Sequence, residues 1–162
     1  MTYIGFGTNL GDVKENYAAV CWHLQNAANV TLLRTSELYI TEPLTLDGAP
    51  QPWYLNCVFE IATDLSPHEL FDTLKAIEFK MGRRRQKRWA PRIADLDILF
   101  YDRLIYTDRV LTLPHRGITQ RAFVLAPLCD LIPDFLHPEY EMTVAELAKV
   151  ASRDLAVRVV EA

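Results

Sequence analysis

The stretch IADLDILFYD, residues 93–102, reads as a strand, with branched and aromatic residues filling it from Ile93 to Phe100. Two of its members do not belong there on propensity alone. Asp is depleted from strands, yet Asp95 and Asp97 stand two apart, so the pleat turns both carboxylates to one face. Two anions about 5–6 Å apart repel by about 3 kcal/mol at an effective dielectric near 20. Exposure to water, or pairing with nearby arginines, is the bland solution. The other is a magnesium site, because hard divalent cations take carboxylate oxygens together with waters and phosphate oxygens.

Immediately upstream lies KMGRRRQKRWAPR (80–92), which holds seven of the 17 basic residues of a chain whose formal net charge is −4. One dense basic loop on an acidic protein suits a small polyanion held in one place better than a nucleic acid. Arginine offers planar, bidentate donors for phosphate, and Trp89 offers either a flat face for an aromatic ring or a hydrophobic plug. Before that loop, Ser66-Pro67-His68-Glu69 forms a capping box with proline at the first helical position. The helix it opens carries Leu70, Leu74, Ile77 and Met81 on one face and stops at Gly82. Glu78 falls within the apolar arc, one turn from the helix C-terminus, where an acid opposes the helix dipole. It needs a basic partner, such as Arg83 or Arg85, or a ligand.

Further out, WYLNCVFEIAT (53–63) alternates as a strand: Leu55, Cys57, Phe59 and Ile61 share one face, Tyr54, Asn56, Val58 and Glu60 the other. VTLLRTSELYI (30–40) reads as a strand, and TEPLTLDGAPQP (41–52) as a long loop with three prolines. Asp12 caps a helix whose Val13, Tyr17, Val20, Leu24 and Ala28 share a face, ending at Asn29. Residues 2–8 make a first strand, broken by GTNLGD. The order β-α-β-β-α-β predicts an α+β, ferredoxin-like core. Its antiparallel sheet would carry both helices on one face and leave the other free for ligands. Residues 101–162 add a hairpin near 103–113, a helix from about 120 to 131, another at 143–151 and a last strand at 155–160. The whole chain, 1–162, is expected to be one domain.

Half the residues are hydrophobic, enough for a core. No apolar run approaches about 18 residues, so no membrane span is expected, and the N-terminus has no secretory pattern. Cys21, Cys57 and Cys129 are odd in number and scattered, which suits reduced thiols in the cytoplasm. GFGTNLG (5–11) is spaced G-x-G-x-x-x-G, a poor dinucleotide fingerprint and a better tight turn. In LTLPHRGITQRAF (111–123), His115 and Arg121 lie near Arg109, which favours phosphate contact. Serine nucleophile elbows, HExxH and CxxC are absent. An RNA-binding module of this topology would show aromatic stacking motifs and a basic sheet face rather than a D-x-D pair.

The run R-W-A-P-R-x-x-D-L-D-I-L (88–99) resembles the signature of the 6-hydroxymethyl-7,8-dihydropterin pyrophosphokinase family. So do Y-I-G-F-G-T-N-L-G-D (3–12), Y-x-T-x-P-L (39–44), Y-L-N (54–56), I-E-x-x-x-G-R (77–83), L-P-H (113–115) and R-x-F-V-L-x-P-L (121–128). The match runs in order over about residues 1–135. It implies transfer of the terminal diphosphate of ATP, the co-substrate, to the hydroxymethyl group of a reduced pterin, giving AMP. By the same resemblance Asp95 and Asp97 bind two magnesium ions, and Arg83 and Arg92 counter charge in the transition state. Gly7, Thr8, Thr41, Glu42, Pro43, Leu44, Tyr54, Asn56, Trp89 and Phe123 would surround the pterin. ATP would engage Lys75, Glu78, Arg85, Arg88, Trp89, Arg92, Ile98, Arg109, Leu111, Thr112, His115 and Arg121. Partners would be these small molecules alone, with no nucleic acid or membrane, and the protein is expected to be a monomer. Four positions depart from the family pattern: Thr8 for serine, Glu42 where proline or other residues occur, Ala90 for glycine, and Arg116 for proline or an aromatic residue.

Overall fold

The computed structural model describes residues 1–43, 48, 50–83 and 91–151, and the backbone of 157–160. Its sheet is built around β1 (Thr2–Thr8), which pairs antiparallel with β4 (Tyr54–Thr63) on one side and β5 (Asp95–Tyr101) on the other. Beyond β4 come β2 (Val30–Thr35) and β3 (Leu38–Thr41), and β3 in turn pairs with β8 (Val157–Val160). With α1 (Val13–Asn26) and α2 (Pro67–Lys80) the order is the ferredoxin-like one. The last expected strand is therefore present, on the sheet edge.

The expected single strand over 30–40 is two strands. Ser36 interrupts it: its Oγ accepts from Val58 N at 2.9 Å, taking a place in the ladder that a backbone carbonyl would hold. The helix ends follow their caps. Asp12 accepts from Lys14 N and Glu15 N, while Ser66 and Glu69 close the reciprocal box at the start of α2. Gly82, at φ +99°, follows the C-cap of α2 in the left-handed region that glycine occupies without strain. The first helix is shorter than expected, stopping at Asn26, and Asn29 turns with φ 60°.

Pleating sorts the core. Ile4, Phe6, Cys57, Phe59, Ile61, Leu96 and Ile98 meet Val20 and Leu24 of α1 and Leu70, Leu74 and Ile77 of α2. Each fully buried aliphatic or aromatic side chain of this set contributes roughly 1.5–3 kcal/mol. The opposite face is not free, contrary to the sequence expectation. Tyr3, Val58, Leu99 and Phe100 pack beneath α3 (Ala122–Leu131) and α4 (Val144–Ala151), through Leu125, Leu128, Val144 and Leu147. A bulge lets β5 serve both ends of this face: Ile4 pairs with Ile98 but Tyr3 with Phe100, leaving Leu99 as the extra residue. The expected hairpin is β6 (Tyr106–Thr107) with β7 (Thr112–Leu113), and a 3-10 turn (Ile118–Gln120) leads into α3. Among the described residues, no helix is long and apolar enough to cross a membrane. Among the described residues, the second face opens into a cavity at the end where Gly5, Gly7, Asn56, Asp95 and Asp97 lie.

Candidate active site

The register of β1 makes this opening. Gly7 sits between Asp95 and Asn56, and Gly5 between Asp97 and Val58. Two strand positions without side chains leave a trough between the carboxylates of β5 and the polar end of β4. The fit is close: a Cβ on Gly7 would lie 2.7 Å from Asn56 Oδ1. Asn56 is buried, and its Nδ2 donates to Thr41 Oγ1, which fixes the amide with its oxygen toward Gly7.

The two aspartates differ in their partners. Arg83 Nη1 donates to Asp95 Oδ1 at 2.9 Å, and Arg92 Nη1 to Asp95 Oδ2 at 2.8 Å. Burial opposes ionisation of Asp95, but the guanidiniums of Arg92 and Arg83 prevail and hold its carboxyl below the usual range. Asp97 faces His115, whose Nε2 lies 3.8 Å from Oδ2. Burial, and then the charge of Asp95, push the Asp97 carboxyl up. His115 Nδ1 accepts from Gly117 N at 3.0 Å, so the neutral ring carries its proton on Nε2, toward Asp97. Burial pulls the His115 pKa down, against the pull of Asp97. The repulsion posed by the sequence is thus answered by Arg83 and Arg92 at Asp95, and only in part at Asp97, where His115, Lys75 and Arg121 act from further off. That donor set fits a hard divalent cation. No third His, Cys, Asp or Glu joins it among the described residues, so its other ligands would be waters and phosphate oxygens.

Beneath the aspartates, Glu78 is a buried hub. Lys75 Nζ donates to Oε2 at 2.8 Å, Leu96 N to Oε2 at 2.9 Å, and Arg83 Nη1 to Oε1 at 2.6 Å. The misplaced acid of α2 is therefore explained by two cations and a strand N–H.

Two cavities meet at Asp97. The first, about 360 Å³, has Gly5 and Gly7 as floor and is bordered by Thr41, Glu42, Tyr54, Asn56, Phe123, Lys75, Arg83, Arg92 and Asp95. Burial raises the pKa of the Tyr54 phenol there. The second, about 400 Å³, is bordered by Phe71, Ile98, Arg109, Leu111, Thr112 and Arg116. Asp97, His115 and Arg121 border both. Arg121 also lies over the Phe123 ring, its Cζ 5.8 Å from the centroid. The two cavities thus share a border of one carboxylate, one imidazole and one guanidinium.

Most of the residues singled out in the sequence converge here, with three exceptions. Thr8 points to the opposite face, because the pleat alternates after Gly7, and its Oγ1 accepts from Asn16 Nδ2 at 2.9 Å. Glu78 borders neither cavity and acts from below, through Lys75 and Arg83. Pro43 borders neither cavity. Leu44, Arg85, Arg88, Trp89 and Ala90 lie outside the described residues. Sequence reasoning missed Asn9, buried within T-N-L-G, and Asp108. Asp108 Oδ1 accepts from Val110 N and Leu111 N, both at 2.8 Å, and its Oδ2 pairs with His68 Nε2 at 2.7 Å. That contact shapes the hairpin beside the second cavity, and no local signal marks it.

The family described as 7,8-dihydro-6-hydroxymethylpterin-pyrophosphokinase matches residues 3–133. The chain is 38% identical to a 2-amino-4-hydroxy-6-hydroxymethyldihydropteridine pyrophosphokinase of Methylorubrum extorquens, over 83% of this chain and 84% of that one. It is 39% identical to the protein of the same name from Pseudomonas aeruginosa, over 85% and 83%. In shape it resembles a Plasmodium falciparum HPPK-DHPS solved with pteroate, at a TM-score of 0.73 and 16% identity. That likeness covers 94% of this chain and 42% of the solved one, so the chain spans less than half of that longer protein.

Proposed function

The chain belongs to the 7,8-dihydro-6-hydroxymethylpterin-pyrophosphokinase family and is a pyrophosphokinase of folate biosynthesis; on that premise we propose how its residues carry the transfer. The observation that carries the proposal is the pair Asp95 and Asp97, set opposite glycines where two cavities meet between two groups of cations. The reduced pterin occupies the first cavity, its ring edge toward Asn56 and Thr41 and its face toward Tyr54 and Phe123. ATP occupies the second, with the base near Ile98, Leu111 and Thr112 and the phosphates running past His115 and Arg121 toward Asp97.

The hydroxymethyl oxygen forms a bond to the β-phosphorus. The bond from that phosphorus to the α–β bridging oxygen breaks, and its electron pair leaves with AMP while the hydroxyl proton is released. Phosphoryl chemistry of this kind asks the protein mainly for positioning and charge stabilisation. Arg83 and Arg92, which hold Asp95, lie within reach of the charge that spreads over the migrating diphosphate. Arg109, His115 and Arg121 steady the nucleotide end. Magnesium ions held by Asp95 and Asp97 would neutralise the phosphates and lower the pKa of a bound hydroxyl. The protein acts as a single-domain monomer in the cytoplasm on these small molecules.

Incubation with ATP and magnesium, with and without the hydroxymethyl dihydropterin, tests the proposal. AMP should form only when the pterin is present. AMP at the same rate in its absence, or none in its presence, refutes the transfer.

A further inference from the structure

Asn9 follows β1 and is 1% exposed, yet it is polar and borders neither cavity. Its amide joins two distant segments. Nδ2 donates to Pro52 O at 3.0 Å and to Gln51 Oε1 at 3.3 Å. Oδ1 accepts from Arg92 N at 2.8 Å, while Asn9 N donates back to Arg92 O at 2.9 Å. Leu10 N also reaches Arg92 O, at 3.2 Å. One side of this knot leads through Trp53 to Tyr54, on the wall of the first cavity. The other side is the backbone of the arginine that holds Asp95. We propose that Asn9 is a positioning residue, fixing the pterin-side wall and the arginine-bearing segment relative to one another.

The inference rests on the transfer proposed above and adds to it a division of labour within one amide. The carbonyl half of Asn9 sets Arg92, and with it the charge presented to the migrating diphosphate. The NH₂ half sets Pro52, and with it the pterin wall. The NH₂ half touches neither Arg92 nor the second cavity, so nucleotide affinity should not depend on that half. A merely structural asparagine would behave otherwise: its loss would lower the folded fraction and leave the KM values of both substrates alike.

Asn9→Asp separates the halves, because a carboxylate still accepts from Arg92 N but cannot donate to the Pro52 carbonyl. Steady-state kinetics should show the pterin KM rising at least tenfold with kcat within threefold of the wild type. Calorimetry with a non-hydrolysable ATP analogue and magnesium should give a nucleotide Kd within twofold. Asn9→Ala removes both halves, so kcat should also fall at least tenfold. Should Asn9→Ala fail to fold, the Asn9→Asp split alone decides. An unchanged pterin KM in Asn9→Asp, or equal weakening of pterin and nucleotide, overturns the inference. A wild type that forms no AMP overturns the transfer itself, and is told apart by needing no variant.

Discussion

Glu78→Gln isolates the electrostatic support beneath the site. The substitution keeps the volume but replaces one acceptor oxygen with an NH₂ donor. In the better orientation the amide oxygen stays with Lys75 Nζ and Leu96 N, and the NH₂ faces Arg83 Nη1, which sits 2.6 Å from Oε1 in the native protein. Breaking a buried ion pair by removing one partner costs about 3–5 kcal/mol. Here the cost is smaller. The Lys75 side chain is 35% exposed, and Arg83 keeps Asp95 and the Ala94 carbonyl, at 2.9 and 3.2 Å. Discounting for that screening leaves about 2–3 kcal/mol. For a chain of this size the melting temperature moves about 2–4 °C per kcal/mol, so a fall of roughly 4–12 °C is expected. Calorimetric melting of both proteins without ligand measures it. Because Lys75 and Arg83 border the first cavity, saturating magnesium and ATP should recover part of the loss by supplying the missing negative charge. A melting temperature within 1 °C of the wild type would refute the hub.

Asp97→Asn should leave less than about a tenth of wild-type turnover, a barrier increase above ~1.4 kcal/mol, with an unchanged or higher melting temperature, since it relieves repulsion from Asp95. Retention of more activity than that, in a steady-state assay, counts against the metal assignment. Gly7→Ala should raise the pterin KM about tenfold, because its Cβ displaces the Asn56 oxygen that lies 2.7 Å away; an unchanged KM would mean that the amide does not read the pterin. Acid should destabilise the fold through its capping carboxylates. Backbone and hydroxyl donors of Ser66 and Thr143 hold Glu69 and Glu146 below the usual range. The folded chain then binds fewer protons than the unfolded one, so stability present above about pH 4 is lost as pH falls. The melting temperature should fall most steeply below about pH 4, and less steeply there in a Glu69→Gln, Glu146→Gln double variant; superposed profiles would refute this.

What could be read from the sequence was local. The Ser66–Glu69 box spans four residues, and the D-L-D spacing depends only on the pleat. Long-range partners were not legible. Ser36 splits a strand because its hydroxyl replaces a ladder acceptor for Val58, 22 residues away. The covering of the second face depends on α3 and α4 folding back, and the bulge at Leu99 sends Phe100 to meet them. Within the site, both aspartates and the surrounding cations could be named, but the glycines opposite them acquire meaning only from the register of β1. The side chain of Thr8 lies away from both cavities, because membership of a motif says nothing about which face a side chain takes. Asn9 was missed because its partners lie 43 and 83 residues away.

The identity of the nucleotide product tests the central claim most directly. Attack at the β-phosphorus releases AMP and moves two phosphates together, whereas attack at the γ-phosphorus releases ADP. Chromatography of a reaction containing ATP, magnesium and the hydroxymethyl dihydropterin should show AMP rising in equal amount with the pterin diphosphate. Stoichiometric ADP with a pterin monophosphate would contradict the account, whatever became of the fold and the aspartate pair.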